Sequence, residues 1–200
     1  LTEQLRYQRA LRDLARELPP VHETDKLLSM LSARVYEIIR PEFCGMYFKL
    51  GGAEYALHSY KPVAAYPLSS SVEEDAPFVR TMRLSTAPVV THELAAGHMA
   101  SHEVFLLPLK RRGELFAFLV LGPKRNKTGY DESDIQLFEI LISSASMALE
   151  NCQAWEEQTE LMVREDQLRR VASMDHYSSA LSHEIVNALQ APQSGLSSLR

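Results

Sequence analysis

The hydrophobic positions change their period along the chain, and each change marks an element. In residues 1–18, Leu5, Leu11, Leu14 and Leu18 recur at helical intervals among charged side chains, and the run meets Pro19-Pro20, which cannot continue a helix. A second helical stripe runs through Leu27, Leu28, Leu31, Val35, Ile38 and Ile39. Thr24 stands where an N-cap is wanted, and the stripe stops before Pro41. Strand patterns follow at once. FCGMYFKL at 43–50 and EYALHSY at 54–60 are joined by Gly51-Gly52-Ala53, while EVFLLPLK at 103–110 and ELFAFLVLG at 114–122 flank Arg111-Arg112-Gly113. Both pairs read as hairpins. In the second, apolar residues fill both alternation sets, with Phe105, Leu107, Phe116 and Phe118 set against Val104, Leu106, Leu115 and Leu119. Both faces of the sheet centre are therefore expected to be covered.

Residues 61–102 show no sustained period. They hold Ser69-Ser70-Ser71, an acidic cluster at 73–75, a short helix predicted over 77–84 and a short strand at 88–91. An irregular stretch laid across a sheet is suited to a small-molecule pocket. From Asp131 to Pro192 no helix breaker occurs, and a helix over that run would reach roughly 90 Å at about 1.5 Å per residue. A helix of that length needs a partner. Leu161, Leu168 and Val171 follow coiled-coil steps of seven and three, and Met174, Ser178, Leu181, Ile185 and Ala188 then step by four, three, four and three. Between the runs, 168 to 171 to 174 takes two steps of three, so the seam of a parallel homodimer changes phase there.

Composition narrows the function classes. The chain has 200 residues, 46% hydrophobic and 24% charged, within the range of ordinary globular proteins. A net charge of -5, from 21 basic and 26 acidic residues, argues against sequence-independent nucleic-acid binding. Two Cys in no CxxC spacing offer neither a disulfide framework nor a zinc cluster, and point to a reducing compartment. No apolar run is long enough to span a bilayer, and the start has no signal-peptide order. A cytoplasmic location is expected, with any membrane attachment upstream of residue 1. The start on Leu1 and the stop at Arg200 in mid-pattern are expected to be the ends of an excised segment.

The order helix, hairpin, variable middle, hairpin, long helix resembles a GAF domain, a sensory module of signalling proteins. The resemblance rests on FLLPLKRRGELFAFLVLGPK, with its polar turn and a Gly after the last strand, and on YDESDIQLFEILISSASMALENC. In the second segment Asp131 can cap the helix while Tyr130 staples it from outside. The resemblance implies an α+β fold, a GAF-like antiparallel sheet flanked by helices, with a long C-terminal dimeric coiled-coil helix. The domain organisation expected is an N-terminal linker helix at 1–21, a sensory domain at 22–152, a signalling helix at 153–173, and the first part of a phosphotransfer domain at 174–200.

The last assignment comes from SSALSHEIVNALQAP at 178–192. With Leu181 at 0° and about 100° per residue, the seam positions average near 20°, His183 falls near 200° and Asn187 near 240°. His183 thus faces away from the seam, with Glu184 beside it and Asn187 one turn on. An exposed imidazole on a rigid helix, next to a carboxylate that can take its proton and an amide that can position water, suits a nucleophile reached by a partner domain. The segment resembles the H-box of sensor histidine kinases. By that resemblance His183 is the phosphoacceptor, Glu184 assists proton transfer, and Asn187 positions water for phosphatase action on a response regulator. Ala188 stands where the family commonly has Pro, which removes the usual helix bend but keeps a backbone donor and high helix propensity. The whole protein would be a protein-histidine kinase with a receiver-domain partner, and ATP and Mg are expected for a catalytic domain whose Asn-bearing helix and Gly-rich motifs do not occur among these residues. This segment alone is not expected to phosphorylate itself, and the resemblance leaves the GAF ligand open.

Other residues carry candidate chemistry. His98 and His102 stand four apart, a spacing that on a helix suits a metal or haem iron, although Gly97 and its small polar neighbours read as a loop. A haem or metal sensor is one alternative, and a non-catalytic GAF ligand-binding and dimerisation module is another. His58 is expected to point with Ala56 and Tyr60, toward a pocket ligand or as a hydrogen-bonded structural residue. Cys44, on a strand face with Met46 and Phe48, reads as a buried inert thiol. Neither Cys44 nor Cys152 sits in a Cys-His dipeptide of the kind that attaches bilin.

Overall fold

The computed structural model describes residues 2–49, 51–62, 68–94 and 98–190, with side chains for all of these except 2–4, 62, 93–94, 98–102, 175–176 and 187–190. The elements in order are α1 (Thr2–Glu17), α2 (Thr24–Ile39), β1 (Phe43–Lys49), β2 (Glu54–Pro62), β3 (Ser71–Glu73), α3 (Pro77–Leu84), β4 (Val89–Leu94), β5 (His98–Arg111), β6 (Glu114–Leu121) and α4 (Glu132–Gln190). The six strands form one antiparallel sheet in the order β3-β2-β1-β6-β5-β4. The chain divides into two compact units, Leu1–Glu156 and Glu157–Arg200.

Both predicted hairpins are present. The tight turn between β5 and β6 is Arg112-Gly113, with φ of 54° and 78°, the two positive values that a primed hairpin turn requires. The helices end as their residues dictate. Arg40 closes α2 in the left-handed conformation, its N–H donating to the Tyr36 carbonyl. Thr24 does not cap α2: Glu23 holds the N-cap position without a side-chain bond, and Thr24 is the first helical residue, donating its hydroxyl to Glu156 at 3.0 Å. The N-cap thus lies one residue before the position the sequence pattern predicts, and the Thr24 hydroxyl is spent on a tertiary acceptor instead of the helix end.

Two apolar layers sandwich the sheet. One lies against α1, α2 and the first part of α4 and contains Leu11, Leu14, Leu18, Leu28, Cys44, Met46, Leu119 and Phe138. The other lies against α3 and contains Tyr47, Tyr55, Val72, Met82, Leu106 and Phe118. Leu11 and Leu14 of α1, and Leu18 just after it, are fully buried in the first layer, at about 1.5–3 kcal/mol each relative to exposure, so α1 is an integral part of this unit.

Two β-bulges redistribute residues between the layers. Met46 pairs with Ser59 but Tyr47 with Leu57, leaving His58 as the extra residue; Leu109 pairs with Ala117 but Lys110 with Leu115, leaving Phe116 extra. Phe118 consequently belongs with Val104 and Leu106, and Leu119 with Phe105 and Leu107, the reverse of a straight-strand reading. The sequence pattern does not predict strand β3 or the extension of β5 back to His98, since serine, glutamate and alanine carry little strand propensity; β3 pairs with β2 and the extension with β4.

Candidate functional site

The helix α4 starts with a reciprocal cap. The Asp131 carboxylate accepts the Asp134 N–H and the Asp134 carboxylate accepts the Asp131 N–H, both at 2.9 Å, as expected from the acidic cluster. Tyr130 packs its ring on Phe105 and Phe138, with centroids 4.6 and 5.4 Å away, and donates its hydroxyl to the Gly122 carbonyl at 2.9 Å. Lys124 completes the cluster with an ion pair to Asp134 at 2.6 Å, the two side chains only 14% and 4% exposed. Tyr7 of α1 enters the same cluster, its hydroxyl buried beside Asp134 without a hydrogen bond of ordinary geometry. Burial, reinforced by the Asp134 charge, pushes the Tyr7 hydroxyl well above the usual phenol range. The Tyr130 hydroxyl is pushed up as well, by burial first and then by Cys44 and Asp134.

At the other end of the same unit, the connector between α1 and α2 is fastened to α4. Asn151 donates to the Pro19 carbonyl, the Cys152 thiol donates to the Val21 carbonyl at 3.1 Å, and Trp155 stacks on His22 with centroids 4.6 Å apart and ring planes 16° from parallel.

The sheet face under α3 is filled by the protein's own aromatics. Tyr47 stacks on Phe118 at 5.0 Å, while Tyr55 and Phe78 meet the same ring edge-on. The Tyr47 hydroxyl donates to the Ser69 carbonyl at 2.7 Å and that of Tyr55 to the Leu115 carbonyl at 2.9 Å. Segments 63–67 and 95–97 of the expected pocket region lie outside the described residues. His98 and His102 belong to strand β5, not to a loop or a helix, and their side chains lie outside the described residues. On a strand, four residues separate two side chains by roughly 13 Å, so the helical spacing argument for a shared ligand does not carry over.

His58 is a structural residue. Its Nε2 lies 3.0 Å from the Ser29 hydroxyl of α2 and its ring meets Phe48 edge-on; the bulge keeps it with Ala56 but turns Tyr60 to the opposite layer. Cys44 is buried beside Met46 as expected, and burial pushes its thiol up to about 12 despite the nearby Lys61 cation.

Within the second unit, α4 presents both of its faces to solvent. His183 and Glu184 are exposed, as are the seam residues Leu161 (67%), Leu168, Val171, Met174 (75%), Leu181 and Ile185. Asn187 lies in the helix, with its side chain outside the described residues. Ion pairs from Arg169 to Glu165 and from Arg170 to Asp166, each spanning one helical turn, support the helix where the sequence pattern predicts a change of phase. Among the described residues no helix is long and apolar enough to cross a membrane.

No protein-family profile and no curated protein matches the chain. Solved structures do. The GAF domain assigned to a sensor histidine kinase of Pseudomonas syringae pv. tomato is 17% identical over 80% of this chain and 95% of that one, with a TM-score of 0.56. The GAF domain of a phosphoenolpyruvate-protein phosphotransferase from Coxiella burnetii is 14% identical over 74% and 95%, with a TM-score of 0.55. A free methionine-R-sulfoxide reductase from Neisseria meningitidis, solved with its substrate, is 16% identical over 74% and 90%, with a TM-score of 0.57. The first unit of this chain therefore has the GAF fold.

Proposed function

We propose that this chain is the sensory and dimerisation region of a two-component sensor histidine kinase, in which the GAF domain takes a signal and His183 carries the phosphoryl group. The observation that carries the reading is the sequence His183-Glu184-Ile185-Val186-Asn187 on an exposed helix that leaves a GAF fold. The similarity to a domain assigned to a sensor histidine kinase supports the same reading. In the proposed reaction a neutral ring nitrogen of His183 attacks the γ-phosphorus of ATP held by a catalytic domain, and the bond to the leaving ADP breaks. Glu184 accepts or orients the proton on the other ring nitrogen, which keeps the attacking lone pair available. The group then passes to a response-regulator receiver domain, and Asn187 positions water when the aspartyl phosphate is hydrolysed. A small-molecule signal would meet residues of the irregular stretch 61–102, since the sheet face beneath α3 is already filled by Tyr47, Tyr55, Phe78 and Phe118.

The experiment is phosphate incorporation from radiolabelled ATP into the full-length protein. His183→Gln abolishes acid-labile label while leaving the fold intact; retained label in that variant refutes the assignment.

A further inference from the structure

The last turns of α4 in the first unit are gripped by one short segment, the connector 19–24 between α1 and α2. Asn151 donates to the Pro19 carbonyl, the Cys152 thiol to the Val21 carbonyl, Trp155 stacks on His22, and Glu156 accepts the Thr24 hydroxyl. At about 100° per residue these four positions of α4 share one face of about 140°. They end at Glu156, the last residue of the first unit.

The connector is held differently from the helices on either side of it. Leu18 before it and Leu27 after it are fully buried, whereas none of residues 19–24 is buried and Val21 packs only partly against the core. Its attachment is therefore two hydrogen bonds to backbone carbonyls, one side-chain hydrogen bond and one half-exposed ring stack. Contacts of that kind open at a lower free energy than a packed core, so the connector can leave α4 while Leu18 and Leu27 stay in place. Pro19-Pro20 makes it stiff, so it moves as one piece.

The connector also has an input. Helix α2, which follows it, is tied to β2 by polar contacts: the Ser29 hydroxyl lies 3.0 Å from His58 Nε2, and Ser59 donates its hydroxyl to that of Ser32 at 2.9 Å. Strand β2 runs to Pro62, at the start of the irregular stretch 61–102. A chain of direct contacts thus leads from that stretch through β2, α2 and the connector to the point where α4 leaves the unit.

We infer that residues 19–24 form a strap that opens and closes on α4, and that a change at β2 reaches α4 by shifting this equilibrium. Resting on the reading that α4 leads to the phosphoacceptor His183, it adds the element that moves. A bound signal acts on the strap only by favouring one of its two positions. The strap has a reporter of its own. Closed, it covers Cys152, which is fully buried and whose thiol is pushed up by burial and then by the Glu156 charge; open, it leaves that thiol to solvent.

The test is maleimide labelling of the native full-length protein at pH 8, read on the Cys152 and Cys44 peptides by mass spectrometry. Cys44, in the core, reports global unfolding and is the internal reference. Local opening labels Cys152 at least about tenfold faster than Cys44. His22→Ala and Thr24→Val, which leave α4 unaltered, each raise the Cys152 rate by about three- to tenfold and leave the Cys44 rate unchanged. Ser59→Ala touches neither strap nor α4, and Ser32 keeps its hydrogen bond to the Ser29 carbonyl; it raises the Cys152 rate about twofold or more. Equal rates at the two cysteines, or a Cys152 rate indifferent to these variants, overturn the inference. The same strap variants change phosphate incorporation at His183 several-fold; faster labelling with unchanged incorporation overturns the strap as a route to α4. No incorporation at His183 in the unsubstituted protein refutes the functional reading, while the labelling rates still decide whether the strap opens.

Discussion

Replacing Lys124 by Met strips the buried Asp134 carboxylate of its cation. An ion of this kind left without compensation costs about 3–5 kcal/mol. Asp134 keeps two compensations: it accepts the Asp131 N–H at 2.9 Å, and it sits in the first turn of α4, where the helix dipole favours an anion by about 0.3–1 kcal/mol. The expected loss for Lys124→Met is therefore about 2–3 kcal/mol, or about 5–10 °C in Tm for a unit of this size. Asp134→Asn costs less, about 1–2 kcal/mol, because Lys124 is the more exposed partner and its flexible stem can carry the ammonium to water. The double variant then loses at least about 1 kcal/mol less than the sum of the singles. Urea unfolding followed by tryptophan fluorescence measures this, since the single Trp, Trp155, is 53% exposed and stacked on His22 within the first unit. A Lys124→Met variant within about 0.5 kcal/mol of the parent, or strict additivity in the cycle, would place the pair among inert surface ion pairs and refute the reasoning.

A Cβ on Gly122 would lie 2.5 Å from the Phe43 ring, whereas one on Gly45 would meet only the tip of the Leu68 side chain, so Gly122→Ala should destabilise the unit by about 2 kcal/mol or more and Gly45→Ala by clearly less, checked by the same urea titration. The Cys44 thiol is neutral in the fold up to about pH 12 but ionises near pH 9 when unfolded, so its contribution is complete below pH 9 and is lost as pH rises, by up to about 1.4 kcal/mol per pH unit; Cys44→Ala should flatten the decline measured between pH 9 and 10.5, and the native thiol should not react with a disulfide reagent at pH 8. Single Cys substitutions along 161–188 should cross-link with heptad periodicity that shifts phase between Leu168 and Met174, and cross-linking without any period would dispose of the seam.

Much of the fold was legible because its signals are local. The 3.6-residue stripes of α1 and α2, the Gly-containing hairpin turns, the Asp131 cap with its Tyr130 staple and the uninterrupted helix from Glu132 are each written in a few neighbouring residues. The helical placement and exposure of His183 and Glu184 follow from the same local pattern.

What only the tertiary structure decided depends on cross-strand and interlayer partners. The extra residues His58 and Phe116 leave no mark in an alternation pattern, yet they exchange Tyr60, Phe118 and Leu119 between the two faces of the sheet. Thr24 has the chemistry of a cap and spends its hydroxyl on Glu156 instead. Lys124 and Asp134 lie ten residues apart in a loop and a helix, and only the fold brings them together, with the Lys124 ammonium 5.3 and 5.0 Å from the ring centroids of Tyr7 and Tyr130. A local pattern specifies what a segment can bury; which partner it is buried against is set by closure of the sheet and its two layers.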